Sequence, residues 1–267
     1  ELGLGNAVHV NAYKLAGLIP GSLSLILADH LDWSYVFVIT AMFMLPGMMM
    51  TLLVREPALL LDRPKTLREA VVAPFVEFMQ RRGVQSALLV LLFIFLYKLG
   101  DSMATALATP FYLDMGFSKT EIGLIAKNAG LWPSVIGGML GGLWMLKIGI
   151  NRALWVFGVL QMVAILGFAW LVDAGHSLFS LGAVIGIEAL GVGLGTAAFV
   201  AYIARETNPM YTATQFALFT SLAAVPRTVA NAATGYMVES LGWQQFFVMC
   251  FLIAIPGMLL LVKVAPW

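Results

Sequence analysis

Long apolar runs separated by short polar breaks dominate the chain. A membrane-spanning helix needs roughly 20 predominantly apolar residues. Eight stretches meet that length, at approximately 7–28, 33–54, 84–112, 120–146, 152–172, 178–204, 213–239 and 243–264. Most breaks are only long enough for tight turns, as at His30–Asp32, Ala174–Ser177 and Ser240–Gly242. One is long, from Arg55 to Gly83. The pattern predicts an all-α, polytopic membrane protein of eight spans.

The long connection carries its own helical signal. Thr66 followed by Glu69 is a capping-box spacing, and Leu67, Val71, Phe75 and Phe78 fall on one helical face. We expect a surface helix linking two bundles.

Composition reinforces the pattern. The chain has 267 residues, of which 61% are hydrophobic and 11% charged, with a mean hydropathy of +0.92. A soluble domain is about 25% charged, so neither a soluble globule nor a disordered chain fits. A net charge of +1 gives no general attraction to nucleic acid. The single cysteine, Cys250, has no disulfide partner within the chain. His9, His30 and His176 lack spaced metal-ligand partners, so we expect no metal and no cofactor. The distribution of basic residues sets orientation. Arg55, Arg63, Lys65, Arg68, Arg81, Arg82, Lys147, Arg152, Arg205 and Lys263 fall on one side, and Lys119 alone on the other. By the positive-inside rule, the long connection and both ends of this chain should be cytoplasmic.

An internal repeat suggests the architecture. Trp33 and Trp243 are 210 positions apart, as are Phe37 and Phe247, Pro46 and Pro256, and Met48 and Met258. A shorter echo pairs Gly142 and Gly149 with Gly235 and Gly242, each pair seven apart. Six-helix halves built from three-helix units describe the major facilitator architecture. The 210-residue offset places spans one and two at the end of a first half. We therefore expect 1–54 to be the last two helices of the N-terminal half, 55–83 the cytoplasmic connection, and 84–267 the complete C-terminal half. About four preceding helices, roughly 125 residues, would be missing, and the eight spans would be helices 5–12 of twelve. The segment Gly142–Arg152 weakly resembles the loop pattern between helices 8 and 9 of that superfamily, with Leu146 at its usual acidic position.

Six ionisable residues lie well inside spans: Lys14, Lys98, Asp101, Lys127, Glu188 and Arg227. A charge there costs at least ~2.5–3.5 kcal/mol on insertion scales and normally faces a bundle interior or a wet cavity. In twelve-helix numbering they occupy helices 5, 7, 8, 10 and 11, the cavity-lining set, and leave the peripheral helices 6, 9 and 12 uncharged. The repeat maps Arg227 near Lys14, so the two are candidates to face each other across a cavity. Four positive against two negative groups favours an anionic substrate. Arg227 suits a carboxylate because its guanidinium binds bidentately. Lys98 and Asp101 are three apart on one helix, which fits either an ion pair or a coupling role. Glu188 and Asp101 are the acidic candidates for a proton site, although Glu188 could equally pair with Lys98 or Lys127. Asn128, Gln215 and Asn231 are either interhelical hydrogen-bond partners or ligands for sugar hydroxyls.

Several stretches carry a family resemblance: Pro64–Leu67 with Ala70–Pro74, Tyr97–Asp101, Phe157–Gln161, Gly195–Ala201 and Ala213–Leu218. With Tyr13 before Lys14, Glu188 and Arg227, the chain resembles the AmpG muropeptide permeases, a branch of the major facilitator superfamily. Where that family tends to have Asn-Lys-Thr, this chain has Ala126-Lys127-Asn128. The resemblance implies a bacterial inner-membrane importer of N-acetylglucosaminyl-1,6-anhydro-N-acetylmuramyl peptides. It implies proton-driven uptake for cell-wall recycling, a link to β-lactamase induction, and a monomer when full length. The partners implied are the muropeptide, protons and the lipid bilayer, with no nucleic acid.

The substrate-binding candidates are therefore Lys14, Lys98, Lys127, Asn128, Gln215, Arg227 and Asn231, and the proton-coupling candidates Asp101 and Glu188. Alternatives are the same fold with another anionic cargo, such as an acyl-CoA or drug-like compound, a channel, or an eight-helix protein complete in itself. An enzyme is not expected, since the sequence holds no His-Glu-x-x-His or similar constellation.

Overall fold

The computed structural model describes residues 31–54, 66–118 and 121–267, with Gly5, Val8, His9, Asn11–Tyr13, Ala16 and Leu27 before them. For 67–71, Lys127 and Pro226 it describes the backbone only. The first expected span, 7–28, and Lys14 with it, therefore lie almost wholly outside the described residues. So does the Glu69 half of the expected capping box. Two compact units divide the chain, His9–Arg63 and Glu1–Val8 with Pro64–Trp267.

In the first unit, α1 (Trp33–Met42) and α2 (Leu45–Leu53) form one 21-residue apolar segment. The helix is interrupted at Phe43–Met44 because Pro46 follows, and its ring cannot donate to residue 42 or clear that carbonyl.

The second unit begins with α3 (Leu67–Arg82), the expected surface helix. Its buried face differs in part from the expected one. Pro74 and Phe78 are buried, while Phe75 stays exposed. The expected unbroken span 84–112 consists of α4 (Val84–Leu96), α5 (Leu99–Ala106) and α6 (Ala108–Asp114). The second break, at Leu107, precedes Pro110, whose ring would clash with the carbonyl of residue 106. The first break falls at Lys98 (φ −101°, ψ 2°), inside the span.

A π-helical turn, Ile122–Ala126, leads into α7 (Lys127–Ala174). Drawn straight, 48 residues would hold the ends of α7 about 70 Å apart. Instead Glu121 before it and His176 after it lie 3.5 Å apart. The chain reverses at Gly149 (φ 79°, ψ 164°), the non-helical residue within α7, and so makes the two expected spans. Next come α8 (Leu178–Glu206), α9 (Thr212–Leu241) and α10 (Trp243–Val264). Among the described residues there is no strand. Among the described residues five segments are apolar and long enough to cross a membrane: Trp33–Leu53, Val84–Asp114, the folded-back Ile122–Ala174, Leu178–Glu206 and Trp243–Val264. The 30-residue α9 is more polar because it carries Gln215, Arg227, Asn231 and Glu239.

Glycines set how closely the helices approach. A methyl group on Gly137 would collide with the Leu190 carbonyl, and one on Gly193 with the Ser134 carbonyl, so α7 and α8 touch backbone to backbone. Gly100 of α5 meets the Cys250 carbonyl of α10 in the same way. Two apolar clusters result. One gathers Phe78, Phe93, Tyr97, Phe157, Phe199 and Tyr202, and the other Met103, Phe111, Phe168, Phe246 and Phe247. The outer face is also apolar. Trp132, Ile136, Met139, Leu143 and Leu146 form an exposed stripe along α7, which suits lipid and not water.

Candidate functional site

A polar layer separates the two apolar clusters. Along α4–α5 it lies between Tyr97 and Met103, along α7 between Phe157 and Ile165, and along α8 between Ile185 and Leu194. The residues in those gaps are Lys98, Asp101, Gln161 and Glu188.

The break before α5 brings Lys98 and Asp101 together at the edge of a helix end. Lys98 Nζ lies 3.6 Å from Asp101 Oδ2 and donates to Gln161 Oε1 at 3.0 Å. Gln161 is itself buried, with its side chain pressed against Gly191 and Gly195 of α8. The carboxyl of Glu188, 7% exposed, sits beside those of Asp101 and near Lys98, with Tyr112 also in range. Glu188 Oε1 and Asp101 Oδ1 find no hydrogen-bond partner among the described residues. Among the described residues, two carboxyls thus share one ammonium group.

Lys98 and Asp101 of this cluster line a cavity of about 420 Å³, together with Ser102, Thr105, Thr196 and, from α9, Arg227. Ser102 Oγ is 3.5 Å from Asn231 Oδ1, which brings Asn231 to the rim. Lys98 is already paired. Arg227 makes no ion pair with any described residue. Among the described residues the cavity therefore offers a guanidinium without an ion pair and three hydroxyls, beside two carboxyls that share Lys98.

The structure brings together Lys98, Asp101, Glu188, Arg227 and Asn231. It does not bring Gln215 to them. Gln215 is buried near the start of α9, where its Oε1 accepts from the Asn208 amide at 2.7 Å. Its Nε2 donates to the Pro74 carbonyl (2.8 Å) and to Glu77 Oε2 (2.7 Å). Asn128 donates to the Leu124 carbonyl at 2.6 Å, bridging the π-helical turn. The Lys127 side chain and all of Lys14 lie outside the described residues. Gln161, Ser102, Thr105 and Thr196 were not among the sequence candidates. For Gln161 and Thr196 the available signal was a polar residue at mid-span within a stretch already noted as distinctive, and for Ser102 and Thr105 it was their place one to four residues after Asp101.

A second polar network lies at the α3 end of the bundle. Arg81 Nε donates to Glu77 Oε1 at 2.8 Å, and Asn208 Nδ2 donates to the same oxygen at 2.7 Å. Arg81 also reaches the Glu206 carbonyl (2.6 Å), and Arg82 grips the fully buried Glu206 carboxylate through both oxygens. Partial burial works to raise the pKa of Glu77. The hydrogen bonds from Asn208 and Gln215 and the charge of Arg81 outweigh it and hold the carboxyl below its usual value. This network fixes α3 to the junction of α8 and α9.

A bundle of lipid-facing helices with a charged cavity between them defines a multi-pass membrane protein built around an internal polar site. The chain belongs to the Major Facilitator Superfamily, whose pattern matches residues 1–231. It is 54% identical over its whole length to an uncharacterized protein of Haemophilus influenzae, covering 65% of that protein. It is 40% identical over 98% of its length to the anhydromuropeptide permease of Escherichia coli, covering 53% of it. It is 32% identical over 97% of its length to a putative transporter AmpG 4 of Rickettsia felis, covering 63%. The chain thus spans between about half and two thirds of the length of these relatives. The resemblance to AmpG permeases read from the sequence is borne out by these matches.

Proposed function

We propose that the protein, at full length, is a proton-driven secondary transporter. It would carry anhydro-muropeptides inward across the bacterial inner membrane for cell-wall recycling and so feed β-lactamase induction. The observation that carries the reading is the cavity itself, where an unpaired Arg227 and the hydroxyls of Ser102, Thr105 and Thr196 adjoin the Lys98–Asp101–Glu188 cluster. A muropeptide presents stem carboxylates and sugar hydroxyls. A guanidinium and neutral hydroxyls are the groups that recognise those two chemistries. The 40% identity to an anhydromuropeptide permease supports the same cargo.

In this reading Arg227 holds a substrate carboxylate, assisted by Lys14 and Lys127, and Asn231 contacts a sugar. Among the described residues the two carboxyls face the Lys98 ammonium while Arg227 is left to the cargo, and a proton is the counter-charge that serves the second carboxyl. Asp101 or Glu188 therefore carries the coupling proton while Lys98 serves the other. Residues 1–54 are the closing helices of the first half, 55–83 the cytoplasmic connection and 84–267 the second half. Both ends of the chain lie in the cytoplasm. The two halves rock about the site to alternate its access, and no bond of the cargo is made or broken.

The test uses the full-length protein and a radiolabelled anhydro-disaccharide tripeptide. Asp101→Asn and Glu188→Gln should each abolish uptake against a gradient while the protein still reaches the membrane. If both variants accumulate cargo as the parent does, the proton assignment is wrong.

A further inference from the structure

Gln161 stands out in the polar layer because it is neutral, buried and bonded to the one ammonium group there among the described residues. Its Oε1 accepts from Lys98 Nζ at 3.0 Å, a shorter contact than the 3.6 Å from that nitrogen to Asp101. Its position is built in from α8. Gly191 leaves room for its Cα, which a methyl group there would approach to 3.2 Å, and a methyl group on Gly195 would collide with Oε1 itself. Two glycines one helical turn apart thus hold an amide carbonyl against a lysine.

We propose that Gln161 is the positioning residue of the cluster: it holds Lys98 partly away from Asp101 and Glu188 and so sets the pH range over which the transporter loads its proton. The inference rests on the coupling role proposed above for the two carboxyls. Lys98 has three hydrogens to donate, and each one given to Gln161 is withheld from a carboxylate. An ammonium nearer the carboxylates favours their ionised form, and one drawn away favours the protonated form. The other described titratable groups around the cluster are Tyr97 beside Asp101, Tyr112 beside Glu188, Arg227 across the cavity, and Cys250, whose carbonyl meets Gly100. The Tyr97 hydroxyl donates to the Leu154 carbonyl, and the hydrogen bond described for the Gln161 side chain is the one from Lys98, so its substitution acts on Lys98.

The consequence has opposite signs in two substitutions of similar length. Gln161→Met removes the acceptor, releases Lys98 to the carboxylates and makes them harder to protonate. The alkaline limb of the uptake profile should move to lower pH. Gln161→Glu draws Lys98 away and adds a like charge near the carboxyls, so the limb should move to higher pH. Each shift should be about one pH unit or more. Gly195→Ala displaces Oε1 and should reproduce the acid shift of Gln161→Met.

The experiment measures initial uptake of the radiolabelled anhydro-disaccharide tripeptide by the full-length protein in cells or vesicles, as a function of external pH, normalised to membrane abundance. Opposite displacements by Gln161→Met and Gln161→Glu, with KM at the pH optimum kept within about threefold, establish the positioning role. Limbs that stay in place, or shift in the same direction, overturn it. If Gln161→Met does not reach the membrane, the sign of the Gln161→Glu shift decides alone. Asp101→Asn and Glu188→Gln run alongside separate the two claims. Loss of uptake in those variants with an unmoved Gln161 profile removes the positioning role and leaves the coupling reading standing. Wild-type accumulation in both removes the coupling reading itself.

Discussion

Gly149 and Gly242 adopt the same backbone conformation, φ 79°, ψ 164° and φ 78°, ψ 164°. Each is the single residue at which one long helix ends and the next begins. They lie 93 positions apart, as do Gly142 and Gly235, so the echo visible in the sequence is matched in dihedral space. This region of the map is open essentially to glycine alone, and another residue there costs about 1–3 kcal/mol. Gly149→Ala and Gly242→Ala should therefore each lower the melting temperature of the detergent-solubilised protein. Gly235→Ala, inside α9 with open space at the Cβ position, should leave it unchanged or raise it. Equal effects in all three would mean that the turns do not need glycine.

Gly100 should be intolerant for a different reason. It lies inside α5, where alanine gains up to about 1 kcal/mol of helix propensity over glycine. A methyl group there would sit 2.5 Å from the Cys250 carbonyl and 2.8 Å from Ala254 Cβ. Neither is the end of a flexible side chain, so the helices must separate, at about 1–3 kcal/mol. The clash outweighs the propensity. Gly100→Ala is expected to lower thermal stability and, because Asp101 is the next residue, to reduce uptake out of proportion to abundance.

The described spans apart from the breaks at Lys98 and Leu107, the reversal near Gly149 and the Lys98–Asp101 pair were legible in the chain, because each rests on local spacing. What was not legible depended on depth or on a distant partner. Gln215 and Asn231 are both polar residues of one span with the same apparent status. Yet Gln215 lies within the first turn of α9, and its neighbours Asn208, Pro74 and Glu77 come from other segments. Gln161 closes a stretch noted for its family resemblance, but its role was not legible because it depends on glycines about thirty positions away in α8. The break at Lys98 carries no proline to announce it, and without it the charged pair would have been placed on a smooth helix face.

The α3 network makes a prediction about acid. The Glu77 carboxyl is held below its usual value of 4.5 in the folded protein. A depressed carboxyl contributes stability that is complete above the unfolded value and lost as pH falls through the folded one. Between about pH 6 and about pH 3, hydrogen exchange in α3 should accelerate with acid beyond the change elsewhere in the bundle. Glu77→Gln should flatten that dependence, with α3 already looser near neutral pH. An α3 whose exchange follows the rest of the bundle in both proteins would show that Glu77 does not hold it.

Arg82 should matter more than its surface position suggests. Its partner, the Glu206 carboxylate, is fully buried, with Arg205 Nε a further 3.7 Å away. Removing Arg82 leaves the buried carboxylate with only the more distant Arg205 and without its hydrogen bonds from Arg82, at a cost of about 1–3 kcal/mol. Arg82→Ala should lower stability by that order, while Arg82→Ala with Glu206→Gln should recover much of it. A double variant no more stable than Arg82→Ala alone would place the cost elsewhere than in the stranded carboxylate.

Arg227 is the residue through which cargo charge should be felt. It lines the cavity without an ion pair to any described residue, whereas Lys98 is engaged by Asp101 and Gln161. A charge-assisted hydrogen bond is worth about 1.5–3 kcal/mol, which corresponds to roughly ten- to a hundredfold in affinity. Arg227→Gln should raise KM for an anhydro-disaccharide peptide by that factor and leave a neutral anhydro-disaccharide nearly unaffected. Arg227→Lys should fall between, because an ammonium keeps the charge but loses the two-pronged geometry. Uptake competition with both compounds across the three proteins checks this directly. Equal loss for the charged and neutral compounds would mean that Arg227 supports the helix bundle and does not hold a carboxylate.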